Sequence, residues 1–153
     1  MKGQSLFRFL SRYVPLVAWL AFIFFASSDG FSASNTSEFI GPLVRWLFPD
    51  VSPERLVLIH SFTRKIAHFS EYALLAILAA RAFRTSPNRT IQRYWFVIAL
   101  GLVVVYALLD EYHQSFVPSR TASIFDSLID IAGGLTALLF VRSVSNRKEY
   151  STN

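Results

Sequence analysis

Several ionisable side chains lie inside segments of this sequence that are otherwise apolar. The stretch of residues 66–82 carries His68 and Glu71, and Lys65 stands just before it. Together with Tyr72 they recur at a spacing that places them along one face of a helix, near its outer end. A charge inside a membrane span costs about 2.5–3.5 kcal/mol on insertion scales, so such residues mark a functional site or a specific partner. Their chemistry suits proton transfer, metal binding or recognition of a charged group.

A second group of polar residues ends the third apolar stretch and begins the fourth. Asp110 and Glu111 stand in the predicted last turn of a helix, where the partial negative charge of the helix end disfavours carboxylates. Ser123 and Asp126 match a capping box at the start of the next helix, whereas Asp130, one turn deeper, has no such explanation. Further candidate binding residues in this region are His113, Gln114 and Arg120.

The elements that must position these residues are four apolar stretches. The chain has 153 residues, of which 53% are hydrophobic and only 16% charged. This composition excludes an ordinary soluble domain and a disordered chain. A hydrocarbon core of about 30 Å needs about 20 helical residues, and each stretch suffices with its flanks. We therefore predict an all-α membrane protein, a four-transmembrane-helix bundle forming a single domain over residues 1–153. The predicted spans are residues 10–28, 64–82, 94–112 and 124–142.

The outer segment, residues 29–63, contains two further helical signals. Phe39, Leu43, Trp46 and Leu47 recur at helical spacing, which predicts an amphipathic helix lying in the membrane interface. A second helix is expected to begin at Ser52, with Pro53 at its first position, and to run toward or into the second span.

The first apolar stretch has an alternative interpretation as a secretory signal peptide. Lys2, Arg8 and Arg12 form a basic flank, and residues 26–28 offer small side chains at a cleavage position. The aromatic run at residues 22–25 favours a retained helix.

The distribution of basic residues predicts the orientation of the chain. Ten of the 15 Lys and Arg residues fall on the side that carries both termini. The positive-inside rule then places both termini in the cytoplasm, and the polar cluster at the outer face of the cell (inner) membrane. The same distribution explains the net charge of +5 without a nucleic-acid partner.

Three motifs carry a resemblance to a known family. Residues 64–75 (RKIAHFSEYALL), 109–120 (LDEYHQSFVPSR) and 125–134 (FDSLIDIAGG) resemble the VanZ-like family, and the resemblance covers about residues 14–141. Two positions depart from its usual pattern: Ser119 replaces a common glycine, and Asp130 a common asparagine. The resemblance implies an integral membrane protein of the bacterial cell envelope that contributes to lipoglycopeptide (teicoplanin) resistance. It implies no particular reaction.

Three hypotheses about function remain open at this stage. A recognition or shielding protein would engage anionic or undecaprenyl-linked lipid headgroups through Lys65 and Arg120. An intramembrane enzyme would use Glu71 or Glu111 as general acid or base, with His68, His113 and Asp126 as metal ligands or orienting groups. A small proton-coupled transporter would use a relay of Asp110, Asp130 and His68. The sequence identifies neither a cofactor nor an oligomeric state. Taken together, the candidate catalytic residues are Glu71, Glu111, His68 and Asp110, and the candidate binding residues are Lys65, Tyr72, His113, Gln114, Arg120, Asp126 and Asp130.

Overall fold

The computed structural model describes residues 2–28, 33–118 and 123–150, and α-helices are its only regular elements in those ranges. Four of the helices are long and apolar enough to cross a membrane, which confirms the predicted all-α, four-span membrane protein. In chain order the helices are α1 (Lys2–Ala26), α2 (Ala33–Leu47), α3 (Pro53–Arg84), α4 (Arg89–Arg93), α5 (Trp95–Gln114) and α6 (Ile124–Tyr150).

Helix α3 joins part of the outer segment to the second span in one continuous element. Its start is the one that the sequence predicts, because the Ser52 hydroxyl accepts a hydrogen bond from the Arg55 backbone N–H at 3.4 Å and Pro53 occupies the first turn. With 32 residues the helix is about 48 Å long, well beyond a hydrocarbon core of about 30 Å. The central helix of the fold therefore has room for an amino-terminal part outside the bilayer.

Helix α2 forms where the outer segment predicts an amphipathic helix. Leu43 and Leu47 are exposed and Trp46 is 77% exposed, whereas Val44, which does not belong to the predicted stripe, is buried. The Phe39 side chain lies outside the described part of the structure. The exposed apolar stripe suits a helix that lies in a membrane interface.

The core is built where α6 and α5 pack against α3. Helix α3 presents a row of small side chains, including Ala76, Ala79 and Ala80, which are all buried. On α6, a Cβ atom added at Gly133 would collide with the backbone carbonyl of Phe69 on α3, and one added at Gly134 would meet a methyl group of Val103 on α5. Small residues thus let these helices approach closely.

Helix α1 is fastened to the rest of the bundle by packing and by hydrogen bonds. Ile23 is fully buried. The Trp19 indole N–H donates to the Glu71 carbonyl on α3 at 3.0 Å, and the Tyr106 hydroxyl of α5 donates to the Leu20 carbonyl. These contacts hold α1 against α3 and α5.

Large apolar side chains cover the outward faces of the long helices. They are exposed at Phe25, Val97, Leu109, Leu139 and Phe140, among others. Such a surface is unfavourable in water and favourable against lipid tails, so the bundle suits a bilayer environment.

Candidate functional site

Three helices bring one histidine and two aspartates together inside the bundle. His68 lies in the middle of α3, Asp110 in the last turns of α5 and Asp130 in the second turn of α6. All three are buried, with exposed fractions of 8%, 6% and 1%. One nitrogen or oxygen atom from each residue lies within 4.8 Å of the other two. We call His68, Asp110 and Asp130 the buried cluster.

The side chains next to the buried cluster are also polar. Tyr72, one turn after His68 on α3, is fully buried, and its hydroxyl has no hydrogen-bond partner among the described residues. Gln114 is fully buried as well, and its side-chain amide donates to Asp110 Oδ2 at 2.9 Å. The two residues thus extend the polar interior on either side of the cluster.

Arg64 connects the cluster to the surface of the bundle. It lies one turn before His68 on α3, so both side chains point to the same side of the helix. Its guanidinium contacts Asp126 of α6 at 3.8 Å and donates to the side-chain carbonyl of Gln114 at 3.4 Å. A series of hydrogen bonds therefore runs from the partly exposed cation of Arg64, through the side chain of Gln114, to the buried carboxylate of Asp110.

Asp126 does not complete the capping box that the sequence predicts. The reciprocal bond of such a box would run from the Ser123 backbone N–H to the Asp126 carboxylate. In the structure the Ser123 N–H donates to the Glu111 carboxylate of α5, and Asp126 pairs with Arg64. The Ser123 hydroxyl does accept a bond in the first turn of α6, from the Phe125 N–H, but the Glu111 carboxylate takes the place predicted for Asp126, so that half of the capping-box prediction is wrong.

An open cleft of about 150 Å³ reaches the bundle surface beside the buried cluster. Its lining comes from α3 and α6, and its polar side chains include two cations, Arg64 and the exposed Lys65. His68 contributes to the inner wall. The full lining consists of Ser61, Arg64, Lys65, His68, Asp126 and Ile129.

The structure separates some of the residues that the sequence groups together. The His113 ring stacks on Phe24 of α1, with ring centroids 4.5 Å apart, and the alternative metal set of His68, His113 and Asp126 is not assembled in the described structure. Glu71 is half-buried and lies outside the buried cluster. Arg120, which the sequence nominates as a headgroup ligand, lies outside the described residues.

Sequence reasoning gave Arg64 no role, although the signal was present. Arg64 precedes His68 by four residues, a spacing that places two side chains on the same helix face. The sequence pattern favours Lys65 as the cation of that face, but in the structure Lys65 is exposed and Arg64 makes the contacts with Asp126 and Gln114. A choice between neighbouring positions requires the rotation of α3 in the bundle, which the other helices determine.

The fold and the site define a small membrane protein with four spanning helices and a buried polar cluster toward one end of its bundle. The profile of the VanZ/LLP1 family matches residues 12–145. The chain therefore belongs to the VanZ/LLP1 family. Comparisons with curated proteins and with solved structures found no match.

Proposed function

We propose that this protein recognises or shields anionic, lipid-linked headgroups at the bacterial cell envelope. The observation that carries the proposal is the polar cleft between α3 and α6, in which Arg64 and Lys65 stand close in sequence to the exposed apolar side chains of Phe62 and Ile66 on α3. A lipid headgroup carries its charge next to an acyl or polyprenyl chain. A cationic cleft in a lipid-facing surface suits both parts of such a ligand.

The two cations are suited to different parts of the recognition. Arg64 is oriented by Asp126 and Gln114, and a planar guanidinium held in place can present two N–H groups to a phosphate. Lys65 is exposed and offers a mobile point charge. The nearby carboxylates would orient the ligand.

The membrane and the orientation are part of the same proposal. The excess of Lys and Arg on the side of the termini supports a bacterial inner membrane protein with both termini in the cytoplasm. The cleft would then face the envelope, where undecaprenyl-linked wall precursors and lipoglycopeptides meet. Membership of the VanZ/LLP1 family supports a contribution to teicoplanin resistance through this headgroup recognition.

Binding of anionic lipid to the purified protein tests the proposal directly. Lys65→Gln should weaken binding of phosphatidylglycerol or undecaprenyl phosphate about fivefold, since a basic residue near an anionic membrane surface contributes about 1 kcal/mol. Arg55→Gln is the matched control, because Arg55 is also exposed on α3 but lies outside the cleft lining. Native mass spectrometry or titration of protein in nanodiscs would measure both. Equal loss in the two variants would indicate general charge attraction and contradict recognition by the cleft.

Teicoplanin susceptibility provides the cellular test. Expression of the wild-type chain in a susceptible Gram-positive host should raise the inhibitory concentration, and Lys65→Gln should reduce that gain more than Arg55→Gln does. Immunoblots of the membrane fraction would confirm equal amounts of protein. Wild-type expression without any gain would contradict the resistance role.

A further inference from the structure

The buried cluster has the composition and spacing of a metal site. The three candidate ligand atoms come from one imidazole and two carboxylates and lie within 4.8 Å of one another. Bonds of about 2.0–2.2 Å to a metal would place two ligand atoms at most about 4.4 Å apart. Small side-chain adjustments would therefore bring all three atoms into contact with one ion.

Unpartnered buried atoms supply a second, independent observation. His68 Nδ1 and Asp130 Oδ1 lie 3.3 Å apart, yet neither atom makes a hydrogen bond of good geometry within the described structure. The Asp130 side chain is only 1% exposed. The Tyr72 hydroxyl is also buried and has no hydrogen-bond partner within the described structure. It is close enough to interact electrostatically with both Asp110 and Asp130. Buried polar atoms are nearly always satisfied. His68 Nδ1 and Asp130 Oδ1 have at least each other at ion-pair distance, so the Tyr72 hydroxyl is the atom that indicates a missing ligand.

The charge of the buried cluster points to a cation. Asp110 and Asp130 bring two carboxylates into the bundle, where His68 is in contact with Asp130 and the neighbouring Arg64 is already paired with Asp126. Buried carboxylates are costly unless they are paired or coordinate a metal. A divalent ion would neutralise both carboxylates and leave the histidine neutral, as a ligand must be.

We propose that His68, Asp110 and Asp130 bind one divalent transition-metal ion, with the Tyr72 hydroxyl next to its open coordination position. A mixed nitrogen and oxygen donor set favours Mn²⁺, Fe²⁺ or Zn²⁺ over Ca²⁺, which takes oxygen ligands. Gln114 orients one oxygen of Asp110 and leaves the other for the ion. This site goes beyond headgroup recognition and does not depend on it, since no lipid contact enters the argument.

Metal analysis of the full-length protein tests the site. The protein, carrying an affinity tag without histidines, is purified in detergent after growth with Mn²⁺ and Zn²⁺, and its metal content is measured by mass spectrometry. We expect about one ion per chain, because the three residues form a single ligand set. His68→Asn and Asp130→Asn should each lower occupancy at least tenfold. Wild-type protein that contains no divalent metal and gains none on titration would overturn the proposal.

Control variants separate metal loss from misfolding and from the alternative ligand set. His60→Asn removes a half-buried histidine of the same helix outside the buried cluster, and His113→Asn removes a member of the set His68, His113 and Asp126. Both should keep the metal. Loss of metal in His113→Asn with retention in Asp130→Asn would overturn the proposed ligand set.

A spectroscopic readout keeps the test decisive where a variant is unstable. With Mn²⁺ as the probe, electron spin echo modulation should show one directly bound nitrogen in wild-type protein. That signal should be absent in His68→Asn and unchanged in His60→Asn. A bound Mn²⁺ without any nitrogen coupling would contradict ligation by His68. Lipid binding measured on the same samples shows whether headgroup recognition and metal binding are independent of each other.

Discussion

The Glu111 carboxylate of α5 accepts a hydrogen bond from the backbone N–H of Ser123, the residue that precedes α6. The Ser123 hydroxyl in turn accepts from the Phe125 N–H at 3.3 Å. The amino-terminal end of α6 is thus satisfied partly by its own serine and partly by a neighbouring helix. One acidic residue links the end of α5 to the start of α6, and it thereby helps to position Asp130, which lies in the second turn of α6.

Glu111→Ala should destabilise the protein by about 0.5–2 kcal/mol, the range measured for the loss of a helix cap. Glu111→Gln keeps a carbonyl oxygen that can accept the same bond, and it should cost less than half as much. Thermal unfolding in detergent, followed by circular dichroism, would compare the two variants with wild type. Equal destabilisation by alanine and glutamine would show that the charge of Glu111, rather than its bond to Ser123, stabilises this connection.

Gly133→Ala tests the close approach of α6 to α3. The added Cβ would meet the backbone carbonyl of Phe69, which cannot move without shifting the whole helix. Overpacking of this kind costs about 1–3 kcal/mol. We therefore expect a clear loss in unfolding temperature, and a loss of metal if the buried cluster is spread apart.

Two other glycines provide the controls for this prediction. Gly134→Ala should cost less than Gly133→Ala, because its Cβ would meet the Val103 side chain, which can adjust. Gly101→Ala places its Cβ in open space and should leave stability unchanged or slightly higher. If Gly101→Ala destabilised the protein as much as Gly133→Ala, the effect would not come from helix packing.

The sequence predicts the spans well, because their signal is local. Apolar length gives α1, α3, α5 and α6 within a few residues at most ends, and Ser52 with Pro53 gives the start of α3. The largest differences are at the amino-terminal ends of α1 and α3 and at the carboxy-terminal end of α6. There the helix continues past the apolar window, since backbone hydrogen bonds do not require an apolar side chain.

The contacts of the site could be predicted only in part, because they depend on helix order and rotation. The sequence identifies all three members of the buried cluster as candidates, because an ionisable residue inside a span is conspicuous whatever the rotation of its helix about its axis. The relay hypothesis also groups these three residues, as the structure does. The sequence does not give the partner of Asp126. Asp126 is assigned to its own helix end, whereas in the structure it pairs with Arg64 of α3. Sequence patterns describe one helix at a time, whereas the side chains of this site come from three different helices.

Gln114→Leu tests whether the orientation of Asp110 matters for the proposed metal site. The glutamine amide donates to Asp110 Oδ2, and Gln114 is fully buried, so leucine of similar volume should fit the space. Loss of a group that orients a ligand typically weakens metal affinity 10–100-fold. Titration of the metal-free protein with Mn²⁺ should show this weakening, with full occupancy still reached at high concentration. Unchanged affinity would mean that Asp110 is held by other contacts or does not ligate the ion.

Single-cysteine labelling tests the orientation on which the proposed function depends. The chain has no cysteine, so each variant reports on one position without background. Ser115→Cys places a thiol just after α5, at the end of the bundle that holds the buried cluster. Thr90→Cys places a thiol in α4, which connects α3 to α5 at the other end of the bundle. Both native side chains are exposed.

A membrane-impermeant maleimide should label Ser115→Cys in intact spheroplasts and leave Thr90→Cys unlabelled until the membrane is opened. We expect this outcome because the connection between α3 and α5 is rich in arginine, and such connections stay on the cytoplasmic side according to the positive-inside rule. The reverse pattern would place the cleft of Arg64 and Lys65 on the cytoplasmic side. Recognition of envelope headgroups would then be contradicted, whereas metal binding by the buried cluster, which depends only on contacts inside the bundle, would be unaffected.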